Sequence, residues 1–162
     1  MGMKQITGQS IGNGIAIGRI LVYRDMAAAA DSRKAEDTDA EYARFCTASA
    51  EASEELGILA ETAEGRVGRK NAEIFRVHQM LLQDPDFTET VRKGITEEHY
   101  NAEYAVSEAG EKLAARFTAM KDNEYLQQRS ADMKDIADRV VKKLQHRENR
   151  TPKLTEPVII MA

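Results

Sequence analysis

Tryptophan is absent from this 162-residue sequence, cysteine occurs once, at Cys46, and proline three times. A single cysteine excludes an internal disulfide and a thiolate zinc cluster, which need several ligands at short spacing, and it fits a reducing, cytoplasmic setting. No apolar run approaches the roughly 20 residues that cross a bilayer. The N-terminus also lacks a basic segment followed by an apolar one, so the chain is expected to be soluble and unprocessed, with no membrane partner. Positive charge is not in excess: the net charge is −4 with acids and bases interspersed. That leaves no basic surface for DNA or RNA, and no nucleic-acid partner is expected. The three histidines, His78, His99 and His146, stand beside no Ser, Thr or Gly cluster able to hold a phosphoryl group. Gly12-Asn13-Gly14 leads into a strand pattern rather than a helix, so a dinucleotide fingerprint fails its context. No phosphate loop, metal cluster or nucleophile–base pair can be assembled from the spacing, and the chain alone is expected to have no catalytic residue, no metal and no cofactor.

What the sequence does have is helical periodicity between two short apolar segments. Gln5 to Tyr23 mixes glycine and β-branched residues and reads as one or two strands with a turn at Gly12-Asn13-Gly14. Met26 to about Glu36 is aperiodic, as in a linker. From about Asp37 to Ala63 the positions Tyr42, Phe45, Ser49, Ala52, Leu56, Leu59 and Ala63 alternate spacings of three and four, a helix-packing seam that Gly65 to Gly68 should end. Asn101 is a plausible N-cap for a helix with Ala102, Ala105, Ala109, Leu113, Phe117 and Met120 on one face. After a turn at Asp122-Asn123, Leu126, Arg129, Met133, Ile136, Val140 and Leu144 mark a last helix to about His146. The tail to Glu156 is polar, and Val158-Ile159-Ile160-Met161 reads as a strand. A mainly α fold is expected: four or five antiparallel helices flanked by short β segments. The boundaries are residues 3–25 for the first β segment, 32–147 for the helical domain and 156–162 for the last strand.

The most informative stretch runs from Ala72 to Asp86. Ile74, Phe75, His78, Leu81 and Leu82 fall on one helical stripe. Asp84 can then cap a new helix with Pro85 at its first position, where a missing N–H costs nothing.

Three segments carry a family resemblance. Ala72-Glu73-Ile74-Phe75-Arg76-Val77-His78-Gln79-Met80-Leu81-Leu82-Gln83-Asp84 resembles A-I-F-x-x-H-x-M-L-L-x-D. Gly14-Ile15-Ala16-Ile17-Gly18 resembles S-P-G-I-A-x-G, with Asn13 in place of the proline, and Tyr125 to Ile136 resembles Y-L-x-x-R-x-x-D-x-x-D-I. All three belong to enzyme I of the bacterial phosphoenolpyruvate-dependent sugar phosphotransferase system. The resemblance implies a transferase that takes a phosphoryl group from phosphoenolpyruvate with magnesium, holds it on a histidine and passes it to the phosphocarrier HPr for sugar uptake. It implies a helical HPr-binding domain inserted into a swivelling α/β phosphohistidine domain, of which only flanking β segments are in this sequence. The G-G-x-T-S-H phosphohistidine motif is absent, so the chain alone is expected to be inactive. An enzyme I-like segment of a dihydroxyacetone kinase phosphoryl donor, or a helical scaffold module, is the alternative.

Carried over by position, the HPr-binding residues are Glu73, His78, Met80, Leu81, Asp84, Asp86, Phe87, Phe117, Leu126 and Arg129. Met80 and Leu81 with Phe87 would form an apolar centre ringed by charge. Leu81, Phe87, Phe117 and Leu126 suit a core equally well, and His78 suits the edge of one. The pairs Asp84/Asp86 and Asp132/Asp135 read as caps or solvated helix faces. Arg69 and Lys70 stand where better-known members of the family carry two glutamates, a charge reversal at the rim of a surface for a basic partner.

Overall fold

The computed structural model describes residues 15, 17–22, 30–120, 123–146 and 157–161, which form two units: a strand pair, and a helical unit over residues 30–146. The expected turn at Gly12-Asn13-Gly14, the rest of the first β segment, Asp122 and the tail from Arg147 to Glu156 lie outside the described residues. In the strand pair, β1 (Arg19–Val22) and β2 (Val158–Met161) are parallel, with Arg19 opposite Val158 and Val22 opposite Met161. The two paired strands thus come from either side of the helical stretch in the sequence. Ile20, Val22 and Met161 are exposed.

The helical unit has α1 (Thr38–Val67), α2 (Arg69–Leu82), α3 (Pro85–Thr96), α4 (Ala102–Ala119), α5 (Glu124–Gln128) and α6 (Ser130–Leu144). Asp37 caps α1, its carboxylate accepting from the Ala40 amide at 3.0 Å. The helix passes through Gly65 and ends only at Gly68, where φ is +83°. The break expected from Gly65 onward is corrected to this one position, because a lone glycine in a helix costs only about 1 kcal/mol whereas a left-handed φ ends it. With one residue between them, α1 and α2 turn back on each other. Glu64 meets Arg76 and Ser53 meets Gln79, an order of contacts that makes the pair antiparallel.

Asp84 does cap α3, with its Oδ1 accepting from the Asp86 amide at 2.8 Å and Pro85 in the first turn. Asn101 sits before α4 without capping it by its side chain; its Oδ1 accepts from the Arg33 amide, and Glu41 Oε2 of α1 takes the Ala102 amide at 2.7 Å. The supposed linker is correspondingly tied down, with Ala35 N–H donating to His99 O and Asn101 N–H to Arg33 O. The single last helix expected from the sequence is divided. Asn123 caps the short α5, and an Arg129 N–H to Leu126 O bond tightens the turn before α6 begins.

The core lies between α1, α2, α3, α4 and α6. Phe45 and Phe87 meet edge to face at 6.5 Å, and Leu56, Leu82, Ile95, Met133 and Ile136 fill the interior around them. Gly110 on α4 faces Ala137 on α6, where an added Cβ would come within 2.5 Å of the Ala137 Cβ. That lets the two helices approach at backbone distance.

Candidate functional site

α2 has three sides with different tasks. Ala72, Phe75 and Leu82 face the core. Arg76, Gln79 and Gln83 reach α1, where Gln79 Nε2 donates to Ser53 O at 2.9 Å and Gln83 Nε2 to Ser53 Oγ at 3.1 Å. Glu73, Val77 and Met80, at spacings of four and three, form the outward stripe. Met80 is 73% exposed on that stripe, and Leu81 is partly buried against the core.

His78 points to α6. Its Nε2 lies 3.2 Å from Asp132 Oδ1, and both side chains are mostly buried. Asp132 also accepts from Arg129, Nη1 to Oδ2 at 2.9 Å. Arg129 in turn lies over the Tyr125 ring at 4.9 Å from its centre, a cation–π contact that leaves Tyr125 58% exposed. The hydrogen bond to Asp132 is the main reason the Arg129 pKa is raised above its ordinary value. One carboxylate therefore lies against a histidine from α2 and holds an arginine at the α5–α6 junction. Asp135 follows Asp132 by one helical turn and is exposed.

The sequence-predicted residues divide accordingly. Glu73, Met80 and Asp86 are exposed, while His78, Leu81, Asp84, Phe117, Leu126 and Arg129 are half-buried. Phe87 is fully buried against Phe45 and offers no surface to a partner, so it is corrected from a docking residue to core. Phe117 packs at the core's edge. Asp86 pairs with Arg116 of α4 at 3.4 Å. His78, Arg129 and the neighbouring Leu126 are brought together; Asp86 and Phe117 are held by α4 instead. Asp132 is corrected from a solvated helix face to the hub of the arrangement. Its i, i+3 relation to Arg129 was legible, but its contact with His78 joins residues far apart in the chain. Tyr125 was not singled out as a site residue, although its i, i+4 spacing to Arg129 is a local signal for this stacking.

Comparison with known proteins gives a consistent result. The family model described as PEP-utilising enzyme, N-terminal, matches residues 7–129. A phosphoenolpyruvate-protein phosphotransferase of Bacillus sp. (strain S) is 36% identical over 160 residues, which is 98% of this chain and 28% of that protein. The protein of the same name from Bacillus subtilis (strain 168) is 33% identical over 161 residues, 99% of this chain and 28% of its own length. The chain thus spans a little over a quarter of these relatives. Among solved structures, the NMR solution structure of Enzyme I (nEIt) aligns with a TM-score of 0.76 and 30% identity, over 90% of this chain and 59% of that one. The N-terminal domain of Enzyme 1 - Nitrogen shares the fold at TM-score 0.70 and 24% identity, over 92% of this chain and 61% of that one.

Proposed function

Because the chain belongs to the family of PEP-utilising enzymes, matched through their N-terminal region, we propose that it is the carrier-docking part of a phosphoenolpyruvate-protein phosphotransferase, enzyme I of a sugar phosphotransferase system. In this reading the complete enzyme takes a phosphoryl group from phosphoenolpyruvate and passes it through a histidine to HPr in the cytoplasm. The present residues align the acceptor. Transfer between histidines gains chiefly from positioning, so a rigid docking surface is a direct contribution to rate.

The observation that carries the reading is the pairing of an exposed apolar residue, Met80, with a fixed polar group, His78–Asp132–Arg129. An adaptable thioether supplies contact area, while a preorganised arginine and the exposed Tyr125 ring supply direction at little entropic cost. His78 braces α2 against α6 beneath the docking surface and is not the phosphoryl acceptor, since its Nε2 faces a carboxylate that would repel a phosphoryl group. The magnesium that accompanies phosphoenolpyruvate is not assigned to this chain. The group His78, Asp132 and Asp135 contains an imidazole, whereas magnesium selects octahedral oxygen ligands.

The test is a titration of isotopically labelled HPr from the same organism with this chain. Saturable shifts around the carrier's active-site histidine are expected, weakened about tenfold by Met80→Ala and by Arg129→Ala. Absence of shifts with the folded chain refutes docking and favours a scaffold.

A further inference from the structure

His78 Nε2 is shielded from solvent and takes part in no hydrogen bond, although Asp132 Oδ1 is only 3.2 Å away. Asp135 brings a second carboxylate, so that ligand atoms of all three residues lie within 4.8 Å of one another. We propose that His78, Asp132 and Asp135 form a binding site for a divalent transition ion of the zinc class, joining α2 to α6.

The Nε2–Oδ1 contact lacks the alignment of an N–H···O bond, which leaves a buried imidazole nitrogen beside a carboxylate without the partner that a cation can supply. Two donors that share a tetrahedral zinc ion at about 2.0–2.1 Å stand roughly 3.3–3.4 Å apart. The observed 3.2 Å between His78 and Asp132 is close to that separation, and the exposed Asp135 closes on the ion by a change of side-chain rotamer. One imidazole with two carboxylates suits zinc and its neighbours in the transition series better than calcium or magnesium, which take oxygen alone.

Arg129 does not block the site. It binds Asp132 Oδ2, the oxygen turned away from His78, and so orients the ligand carboxylate as outer hydrogen-bond donors do at zinc centres. Its charge opposes a second cation nearby, which sets the expected affinity in the micromolar range rather than tighter. Asp135 is exposed, so the open side faces water, which can enter as a further ligand.

The site does not depend on the docking reading, because the ion alone is the probe. Zinc chloride is titrated into the full chain carrying isotopically labelled histidine, and the ring nitrogens of His78, His99 and His146 are followed. His78 is expected to shift and saturate at one equivalent, while the exposed His99 and His146 move little. Asp135→Asn, at an exposed position that leaves the fold unchanged, should weaken binding at least about tenfold, and His78→Gln should abolish the saturable phase. A His78 shift no larger than those of His99 and His146, or an Asp135→Asn chain that binds zinc as tightly as the parent, overturns the proposal.

Discussion

Replacing Gly110 by alanine places a methyl group where there is no room for one. The added Cβ would lie 2.5 Å from the Ala137 Cβ and 3.4 Å from Met133 O. Carbon atoms prefer about 3.5–4.0 Å, so α4 and α6 must part by an ångström or more or shift along each other. Overpacking of this kind costs about 1–3 kcal/mol. Alanine recovers about 1 kcal/mol of helix propensity, which leaves a net loss of up to about 2 kcal/mol. At Gly65 the same substitution meets nothing within 4 Å inside a regular helix. There only the propensity gain of roughly 0.5–1 kcal/mol remains. Urea unfolding followed by far-ultraviolet circular dichroism should therefore move the midpoint down for Gly110→Ala and up for Gly65→Ala. In melting temperature each kcal/mol is about 2–4 °C for a chain of this size. Adding Ala137→Gly to Gly110→Ala should restore most of the loss, since it removes the opposing methyl. A Gly110→Ala chain as stable as Gly65→Ala would refute the close approach of α4 and α6.

Phe87→Ala should destabilise by about 3–5 kcal/mol, read as a fall in the urea midpoint at unchanged slope, because the ring is fully buried against Phe45. Burial alone would raise the Glu103 pKa, but hydrogen bonds from Arg44, its own amide and Asn101 outweigh it and hold the value below the ordinary 4.5. A depressed acid stabilises the fold above its unfolded pKa and loses that contribution as pH falls through the folded one. Glu103→Gln should thus cost on the order of 1–2 kcal/mol at neutral pH, and the gap to the parent should close in acid-dependent melting curves below the ordinary value. Arg69 and Lys70 are exposed, with no ion-pair partner among the described residues. Reversing both to glutamate should raise affinity for a carrier with a basic surface several-fold at low salt, an increase that calorimetry should find fading as ionic strength rises.

The long-range organisation was legible because helical periodicity and caps are local. The apolar positions Phe45, Ala52, Leu56, Met133, Ile136, Val140 and Leu144 were identified as packing positions by spacing alone, and they are buried. Val158 to Met161 and the segment ending at Tyr23 were read as strands, and their residues Val158–Met161 and Arg19–Val22 pair. What local pattern could not give was any feature made by two distant segments. Asp132 looks like a solvated carboxylate until His78 is set beside it, and Asn101 looks like a side-chain cap until its Oδ1 takes the distant Arg33 amide instead. The division of the last helix at Arg129 was hidden for a related reason, since Leu126 and Met133 keep helical spacing across a turn that differs by one tightened hydrogen bond.

The proposed docking face for the phosphocarrier is formed by α2 and the α5–α6 junction, and methionine methyl groups report on it directly. Met80 lies on the outward stripe of α2. With methyl-labelled methionine and saturating unlabelled HPr from the same organism, the Met80 signal should shift and broaden. A saturated complex in which Met80 is unmoved would contradict the account.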